Sequence, residues 1–598
     1  MIRQHRAAII FYLVILLVMT FPLVFKMNSA IPGFFSSDEV YAPIWESWRI
    51  KFSAMNNLSF METKLIAFPF GTNIYKDSPI SYIWMVFYPA LSFLLNPVLK
   101  HNILLLINFF LSAFFTYLLV FKLTGDKKSA FLSGTIFGFS PCLFMRSWQY
   151  FGETFVWTQP LFLLAIVMLH DKDSLRNRFI FCASYVLSAV NFSGIYYCSV
   201  ILGIYLFYLS LKFVRNRKEI LRLVLLVILS LGILSFQFYP IFKDVIKNRS
   251  KIALAQNIYH RPFDDLFLMS SRPLGYLLPA AVHPVWGRFT EQFVGSPFYG
   301  TSFTEHTLYL GWMGIVLAFI AYRKAKRKNT IIPGGDYDAR EIYFVYFFVL
   351  LALAAWLFSQ PPWWSIANLK IYLPAFFMYK VLPMFRAYAR FGVVVMLAIA
   401  VLAGFGFKSI SNSLNSTFRK IAVFLCLIVF VLFDFWNWPS YKIIDVSKIP
   451  AVYDWVVKQP GDFVLAEYPL DLGGPDELYK FYQTRHHKVL INGTVPGTSA
   501  NAILAKLNDL SSFQTVSILK GIGVKYAIVH RDSYLATEQV EQIAQLERIP
   551  FNPGLKLISS FPSESCPDGI LSCTQATGPI DLYEIIAEPE VNYMELLK

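Results

Sequence analysis

The sequence predicts an α-helical polytopic membrane protein with about eleven transmembrane helices and a C-terminal extracytoplasmic α/β domain. Three observations carry that expectation. Of 598 residues, 56% are hydrophobic and 15% charged, more apolar surface than one water-soluble core can absorb. The apolar residues gather in runs near twenty, which select helices over barrel strands because lipid cannot hydrogen-bond an open backbone. Beyond about residue 439 these runs give way to the composition of an ordinary globular domain.

The first run, 7–25, follows Arg3 and Arg6. It reads as a span rather than a signal peptide, being longer than a signal core and followed by the poor cleavage site Lys26-Met27-Asn28-Ser29-Ala30. The formal charge of +15 would suggest nucleic acid in a soluble protein. Here the basic residues sit in short loops between apolar runs, the pattern of cytoplasmic loops, so no nucleic-acid partner is expected. Five clusters serve as fixed points: Lys122 with Lys127 and Lys128; Lys172 with Arg176 and Arg178; Lys212 with Arg215, Arg217, Lys218 and Arg222; Arg323, Lys324, Lys326, Arg327 and Lys328 with Arg340; and Lys408 with Arg419 and Lys420.

One hairpin between successive clusters places later spans at 103–121, 129–147, 156–170, 179–195, 196–211, 221–240, 307–322, 341–359, 390–408 and 420–438. Counting 80–99 as a span would put every later cluster outside. That segment, broken by Pro89 and Pro97 after Pro79, therefore reads as an interfacial or re-entrant helix, as does 371–384 with Pro374 and Pro383. Residues 1–438 form the transmembrane domain, with outer loops 26–102 and 241–306 and a cytoplasmic N-terminus. Residues 439–598 form the extracytoplasmic domain, where helices near 449–459, 475–484 and 537–547 alternate with strands at 463–467, 488–491, 524–529 and 582–586. Cys142, Cys182, Cys198 and Cys426 lie in apolar runs as packing residues. Cys566 and Cys573 fall in a polar loop and can pair if it is extracytoplasmic.

Chemistry is expected at the outer surface. Asp38 and Glu39 stand about a dozen residues beyond the first span, ahead of an amphipathic stretch in which Tyr41, Ile44, Trp45, Trp48, Phe52 and Met55 share one face. This stretch is expected to lie along the bilayer with its tryptophans at headgroup depth. Asp38 reads either as a helix N-cap or as a catalytic carboxylate. Glu153, and Glu305 with His306, fall in two further outer turns, so the three turns can form one cleft. Arg386 and Arg390 stand at the outer mouth of a span, where a guanidinium fork suits a lipid phosphate or ordinary headgroups. The loop containing His283 offers Pro, His and aromatic groups for sugar or lipid contact. No Walker loop, HExxH, paired CxxC or convincing GxSxG is present, so ATP-driven pumping is not expected.

Several short motifs occur in order along the chain. They are Asp38-Glu39 after span one, Phe68-Pro69-Phe70-Gly71, Glu305 followed by Tyr309-Leu310-Gly311, Leu382-Pro383-Met384-Phe385-Arg386 with Arg390-Phe391, and Gly523-Val524-Lys525-Tyr526. In these the chain resembles the GT-C superfamily of membrane glycosyltransferases, and more closely its YfhO-like bacterial branch. The resemblance implies an enzyme of the bacterial cytoplasmic membrane that moves a sugar from a polyprenyl-phosphate donor to an extracytoplasmic glycan, lipid or protein acceptor. It implies an essential acidic residue at Asp38, with Glu39 as rival, a second at Glu153, and a possible divalent metal, Mg or Mn. Substrate contacts are expected at Arg386, Arg390, Glu305, His306, His283 and Trp45. The competing expectations are a transporter or flippase of lipid-linked sugars and a non-catalytic scaffold of the same fold.

Overall fold

Capping chemistry written into the sequence sets the ends of the helices. In the computed structural model, which describes residues 2–33, 38–73, 82–211, 213–247, 261–331, 336–366, 369–436, 441–470, 475–495, 498–536, 540–566, 572–574 and 577–590, helices α1 (Ile2–Met19), α2 (Ala42–Met55) and α3 (Tyr82–Leu94) precede the long α4 (Pro97–Thr124). The Asn96 side chain accepts the Val98 N–H, Pro97 fills the first turn, and Gly125 closes α4 at φ 69°, a left-handed backbone that costs glycine least. Asp126 then accepts the Ser129 N–H and opens α5 (Lys127–Gly138). The resulting hairpin is close: a Cβ added at Gly138 would stand 2.5 Å from that of Ala113 on α4, the contact small residues permit between membrane helices.

The expected span 129–147 is in fact two helices. α5 ends before Ser140, and α6 (Pro141–Ser147) restarts on a proline in its first turn, because proline lacks the N–H that would continue the ladder. There follow α7 (Thr158–Asp171), α8 (Leu175–Leu187), α9 (Phe192–Ser210), α10 (Phe213–Lys247), α11 (Trp312–Ile331), α12 (Asp336–Ser359), α13 (Pro374–Val381), α14 (Gly392–Ser413) and α15 (Thr417–Asp434). Among the described residues, six helical segments are long and apolar enough to cross a membrane: Pro97–Thr124, Phe151–Asp171, Ser193–Ser210, Asn216–Phe236, Ala339–Ser359 and Tyr388–Ser413. The protein is a multi-pass membrane protein. The other five expected spans fall on α1, the broken α5 and α6, α8, α11 and α15, which are shorter, interrupted or more charged. The segment 80–99 holds α3 and the start of α4, and 371–384 holds the end of a hairpin, Trp363–Ile366 with Leu369–Tyr372, followed by α13. Pro79 and Lys212 lie outside the described residues.

Helix α14 is the axis of the bundle, buried along nearly its whole length against α5, α11 and α12. By contrast α10 exposes Leu225, Ile228, Leu229 and Phe236, the apolar surface of a helix facing lipid. Two layers of charge mark the ends of the bundle. At one end Arg340 bonds Asp171 and the Leu123 carbonyl, while Lys408 bonds Glu341 and the Thr124 carbonyl, tying together the ends of α4, α7, α12 and α14. The turns ahead of α7 and α14 meet at the other.

Near the C-terminus a five-stranded sheet runs in the order β6-β7-β5-β3-β4, with β3 (Val464–Tyr468), β4 (Val489–Leu490), β5 (Val524–His530), β6 (Leu555–Phe561) and β7 (Ile580–Ile585). β3 is parallel to β4 and β5; β7 pairs antiparallel with β5 and β6. Every residue of β3 is buried, as expected for a parallel strand covered on both faces. β6, an edge strand of mixed polarity, escapes the sequence reading. The first outer loop joins this region: β1 (Ala30–Pro32) pairs antiparallel with β2 (Ile443–Asp445), and Ala67 and Phe68 donate N–H bonds to the Asn492 and Leu490 carbonyls. Cys566 and Cys573 are joined in a disulfide.

Helix α2 departs from its expected place on a bilayer surface. It packs under α16 (Asp476–His486), and the Trp45 indole N–H donates to Gln483 Oε1 at 2.8 Å. Arg49, expected on the polar face, is buried and held by Glu46.

Candidate functional site

The turn Tyr388–Phe391 carries Arg390 into α14, and the turn Phe151–Thr154 carries Glu153 towards α7. Arg390 Nη1 donates to Glu153 Oε1 at 2.7 Å, while its Nε and Nη2 donate to Glu305 Oε1 at 2.8 and 2.5 Å. Ser193 Oγ and Tyr197 OH also donate to Glu153, at 2.6 and 3.1 Å. The Tyr150 ring lies 5.0 Å from the Arg390 guanidinium. Arg146, 1% exposed, reaches the Arg390 carbonyl through Nη2, while its Nε and Nη1 and Glu305 Oε2 have no hydrogen-bond partner. Two arginines thus offset two carboxylates in a buried network, the condition under which charge tolerates burial. For Glu305, burial alone would raise the pKa, but the charge and hydrogen bonds of Arg390, with Arg146 and His306, outweigh it and hold the carboxyl below its usual range.

Glu39 lies at the edge of this network, in the turn Asp38–Val40. Its side chain reaches solvent, yet protein walls it on most sides, as in a crevice. Withdrawal from bulk water pushes its pKa up to about 7; Arg390 and Arg386 pull it down, and Glu477 and Glu305 push it up. Tyr150, crowded by burial and by the charges of Glu305 and Glu39, is pushed up to about 12. Glu477 comes from α16, so the C-terminal sheet region contributes a wall of the crevice. The side chain of Asp38 lies outside the described residues; its backbone opens the turn, while Tyr41 occupies the N-cap of α2, so Asp38 is not that helix's cap.

Arg386 Nη1 donates to Asp265 Oδ2 at 2.8 Å and stays partly open to solvent. Arg261 joins it: burial and the Arg386 charge lower its pKa, Asp265 and Glu39 raise it, so these four groups share one field. The backbone fixes Arg261, whose N–H donates to the Pro383 carbonyl and whose carbonyl accepts the Tyr379 hydroxyl.

The structure therefore brings Glu153, Glu305 and Arg390 into contact and sets Glu39 and Arg386 within their field. The expected Arg386 and Arg390 phosphate clamp is corrected: Arg390 is spent on two carboxylates, and the arginine beside Arg386 is Arg261. His306 accepts the Ser302 N–H at Nδ1 and donates from Nε2 to the Ser270 carbonyl, and so fastens loops. His283 accepts from Val285 and Trp286 and donates to the Phe433 carbonyl, likewise as a brace. Trp45, 3% exposed, is sealed under α16 with Lys480 5.0 Å above its ring. Among the described residues no group of three or more His, Cys, Asp or Glu side chains could hold a metal ion, and Glu153 and Glu305 already serve Arg390. A metal does not fit these residues. Arg146, Arg261, Asp265 and Tyr150 were missed; the signal for Arg146 was an arginine inside the apolar stretch Pro141–Ser147, where a charge requires partners.

Solved structures of similar shape include the arabinofuranosyltransferase AftD from mycobacteria, with TM-score 0.50 and 13% identity over 99% of this chain and 42% of that one. The oligosaccharyltransferase AglB from Archaeoglobus fulgidus, in complex with an inhibitory peptide and a dolichol-phosphate, gives 0.54 and 10% over 97% of this chain and 88% of that one. A second oligosaccharyltransferase structure from Archaeoglobus fulgidus, in the apo form, gives 0.52 and 12% over 92% and 73%. The chain thus spans less than half of AftD's length. At such identities the likeness shows the fold alone, that of GT-C membrane glycosyltransferases. No curated protein matches the sequence. The YfhO-like branch is not the family that the comparison shows. Residues 42–435 match the model of the family described as a domain of unknown function, DUF6311, and the chain belongs to that family.

Proposed function

We propose that this protein is a membrane glycosyltransferase that takes a sugar from a polyprenyl-phosphate donor and passes it to an extracytoplasmic acceptor. The observation that carries the reading is the crevice in which Glu39, with its raised pKa, faces Arg386 and Arg261 beside the buried Arg390, Glu153 and Glu305 network. A base with a pKa near 7 is strong enough to take a hydroxyl proton yet largely ionised just above neutrality. Glu39, or its neighbour Asp38, accepts the proton of the acceptor hydroxyl. The acceptor oxygen bonds the anomeric carbon as the bond from that carbon to the phosphate oxygen breaks. Free polyprenyl phosphate departs, its negative charge met by the Arg386 and Arg261 guanidinium groups. The donor's own phosphoester linkage supplies the driving force. AglB, of the same fold, is seen with a dolichol-phosphate, which supports a lipid-linked donor here by analogy.

The orientation belongs to the same reading. The basic ends of α4, α12 and α14 face the cytoplasm with the N-terminus, and the crevice and C-terminal sheet lie outside, at the cytoplasmic membrane of a bacterium. The disulfide between Cys566 and Cys573 suits an oxidising compartment.

The test offers purified protein in lipid a panel of polyprenyl-phosphate sugars and follows loss of donor and release of carrier phosphate. Wild type should turn over, and Glu39→Gln or Asp38→Asn should not while remaining folded. Arg386→Ala should weaken donor binding more than it slows bound donor. Full turnover by both acidic variants would exclude the proposed base, and failure of every donor would exclude the transferase reading.

A further inference from the structure

A cavity of about 230 Å³ opens among α11, α12 and α14, at the end of α14 opposite the crevice. Its polar lining is Lys324, Lys408, Ser409, Asn412 and Glu341; its apolar lining includes Val345 and Phe405. Two ammonium groups against one carboxylate leave it net positive. The surroundings add charge of the same sign, since Arg323, Lys326 and Arg327 extend α11 beyond Lys324 and Arg340 stands one position before Glu341. The depth is set by α14 itself: Arg390 and Lys408 are 18 positions apart, which at the helical rise is ~27 Å, close to the thickness of a bilayer's hydrocarbon core. Val316 and Phe319, 50% and 58% exposed, lie on α11 within the two turns before Lys324, so an apolar track leads along the helix surface to the basic pocket.

We propose that this pocket binds the headgroup of an anionic phospholipid, its phosphodiester beside Lys324 and Lys408, its glycerol hydroxyls on Ser409 and Asn412, and its acyl chains along Val316 and Phe319. The pairing of net positive charge with an apolar track favours a lipid over a free anion, because a free anion gains nothing from Phe319 and Val345. Lys408 is positioned for this by its bonds to Glu341 and the Thr124 carbonyl. The proposal does not use the transferase reading and can fail or stand without it.

Native mass spectrometry of the full chain, titrated with phosphatidylglycerol and with phosphatidylcholine of matched chains, tests it. Phosphatidylglycerol should be retained about 10-fold more strongly, the order expected for two lysines at a membrane surface. Lys324→Gln and Lys324→Glu should lower that preference in turn, whereas Glu341→Gln, which removes the opposing charge, should raise it. Variants moving in opposite directions separate lost binding from lost folding. Equal retention of the two lipids, or an unchanged preference in the Lys324 variants, overturns the proposal. Displacement of the lipid by millimolar inorganic phosphate overturns the lipid in favour of a free anion.

Discussion

At one end of α14 a buried arginine is gripped by two carboxylates; at the other a lysine shares one carboxylate with a backbone carbonyl and borders an open cavity. The two ends belong to one helix and differ in what surrounds the charge. Around Arg390 every counter-charge is supplied by the protein, so the network is closed, and the groups free to act stand at its margin: Glu39, Arg386 and Arg261. Around Lys408 the protein leaves a positive remainder. The comparison teaches that the crevice end is built to hold geometry and the basic end to receive charge.

The largest effect that would sharpen this contrast is at Arg390. Arg390→Met leaves Glu153 and Glu305 buried without their cation, a loss of ~3–5 kcal/mol, to be measured as a fall in unfolding midpoint in lipid nanodiscs. If the variant is as stable as wild type, the network does not hold the crevice together.

At the margin, Glu39→Gln should cut transfer by ~10²–10⁴-fold, the usual worth of a positioned base, while leaving the fold intact. A base must be ionised, so wild-type activity should rise with pH through about 7, and a rate that falls across that interval excludes Glu39 in this role. The sign for stability is opposite. A carboxyl whose folded pKa is raised makes the folded state bind its proton more readily, so stability declines as pH climbs from the ordinary carboxylate range to about 7, and Glu39→Gln removes that decline.

Glu305 behaves in the reverse sense. Its pKa is held down in the fold, so its contribution is present above the ordinary carboxylate range and lost as pH falls through the lowered value. Glu305→Gln should remove ~1.5–3 kcal/mol, the worth of charged hydrogen bonds, and flatten the acid limb of a stability curve taken in the same nanodiscs.

Much of this arrangement could be read from residue order, and the unread parts have physical causes. Apolar runs and basic clusters located the helices well, because the bilayer imposes length and charge rules on every segment. They misjudged 129–147 because hydropathy does not register that Ser140-Pro141 interrupts a ladder. The amphipathic face of α2 was visible, but the same pattern serves a membrane surface or a protein partner, and Gln483, more than 400 positions away, decides for the partner. Glu153, Glu305 and Arg390 were each nameable as charges at helix mouths. That Arg390 would bind both carboxylates, and that Arg261 would replace it beside Arg386, depended on side-chain geometry across distant turns. His306 and His283 illustrate the same limit, since a histidine that braces backbone groups reads in sequence like one that meets a ligand.

The smallest effect is at the other end of the helix. Lys408 and Glu341 are both partly exposed, so water recovers part of what their separation costs, and Lys408→Met should lose only ~1 kcal/mol. A double-mutant cycle with Glu341→Gln isolates the pair, and its coupling should fall well below that of Arg390 with Glu305 measured in the same way. An equal coupling at both ends would mean that the basic pocket is as closed as the crevice network. Its lysine would then be committed to Glu341, and the positive remainder there would rest on Lys324 and the tail of α11.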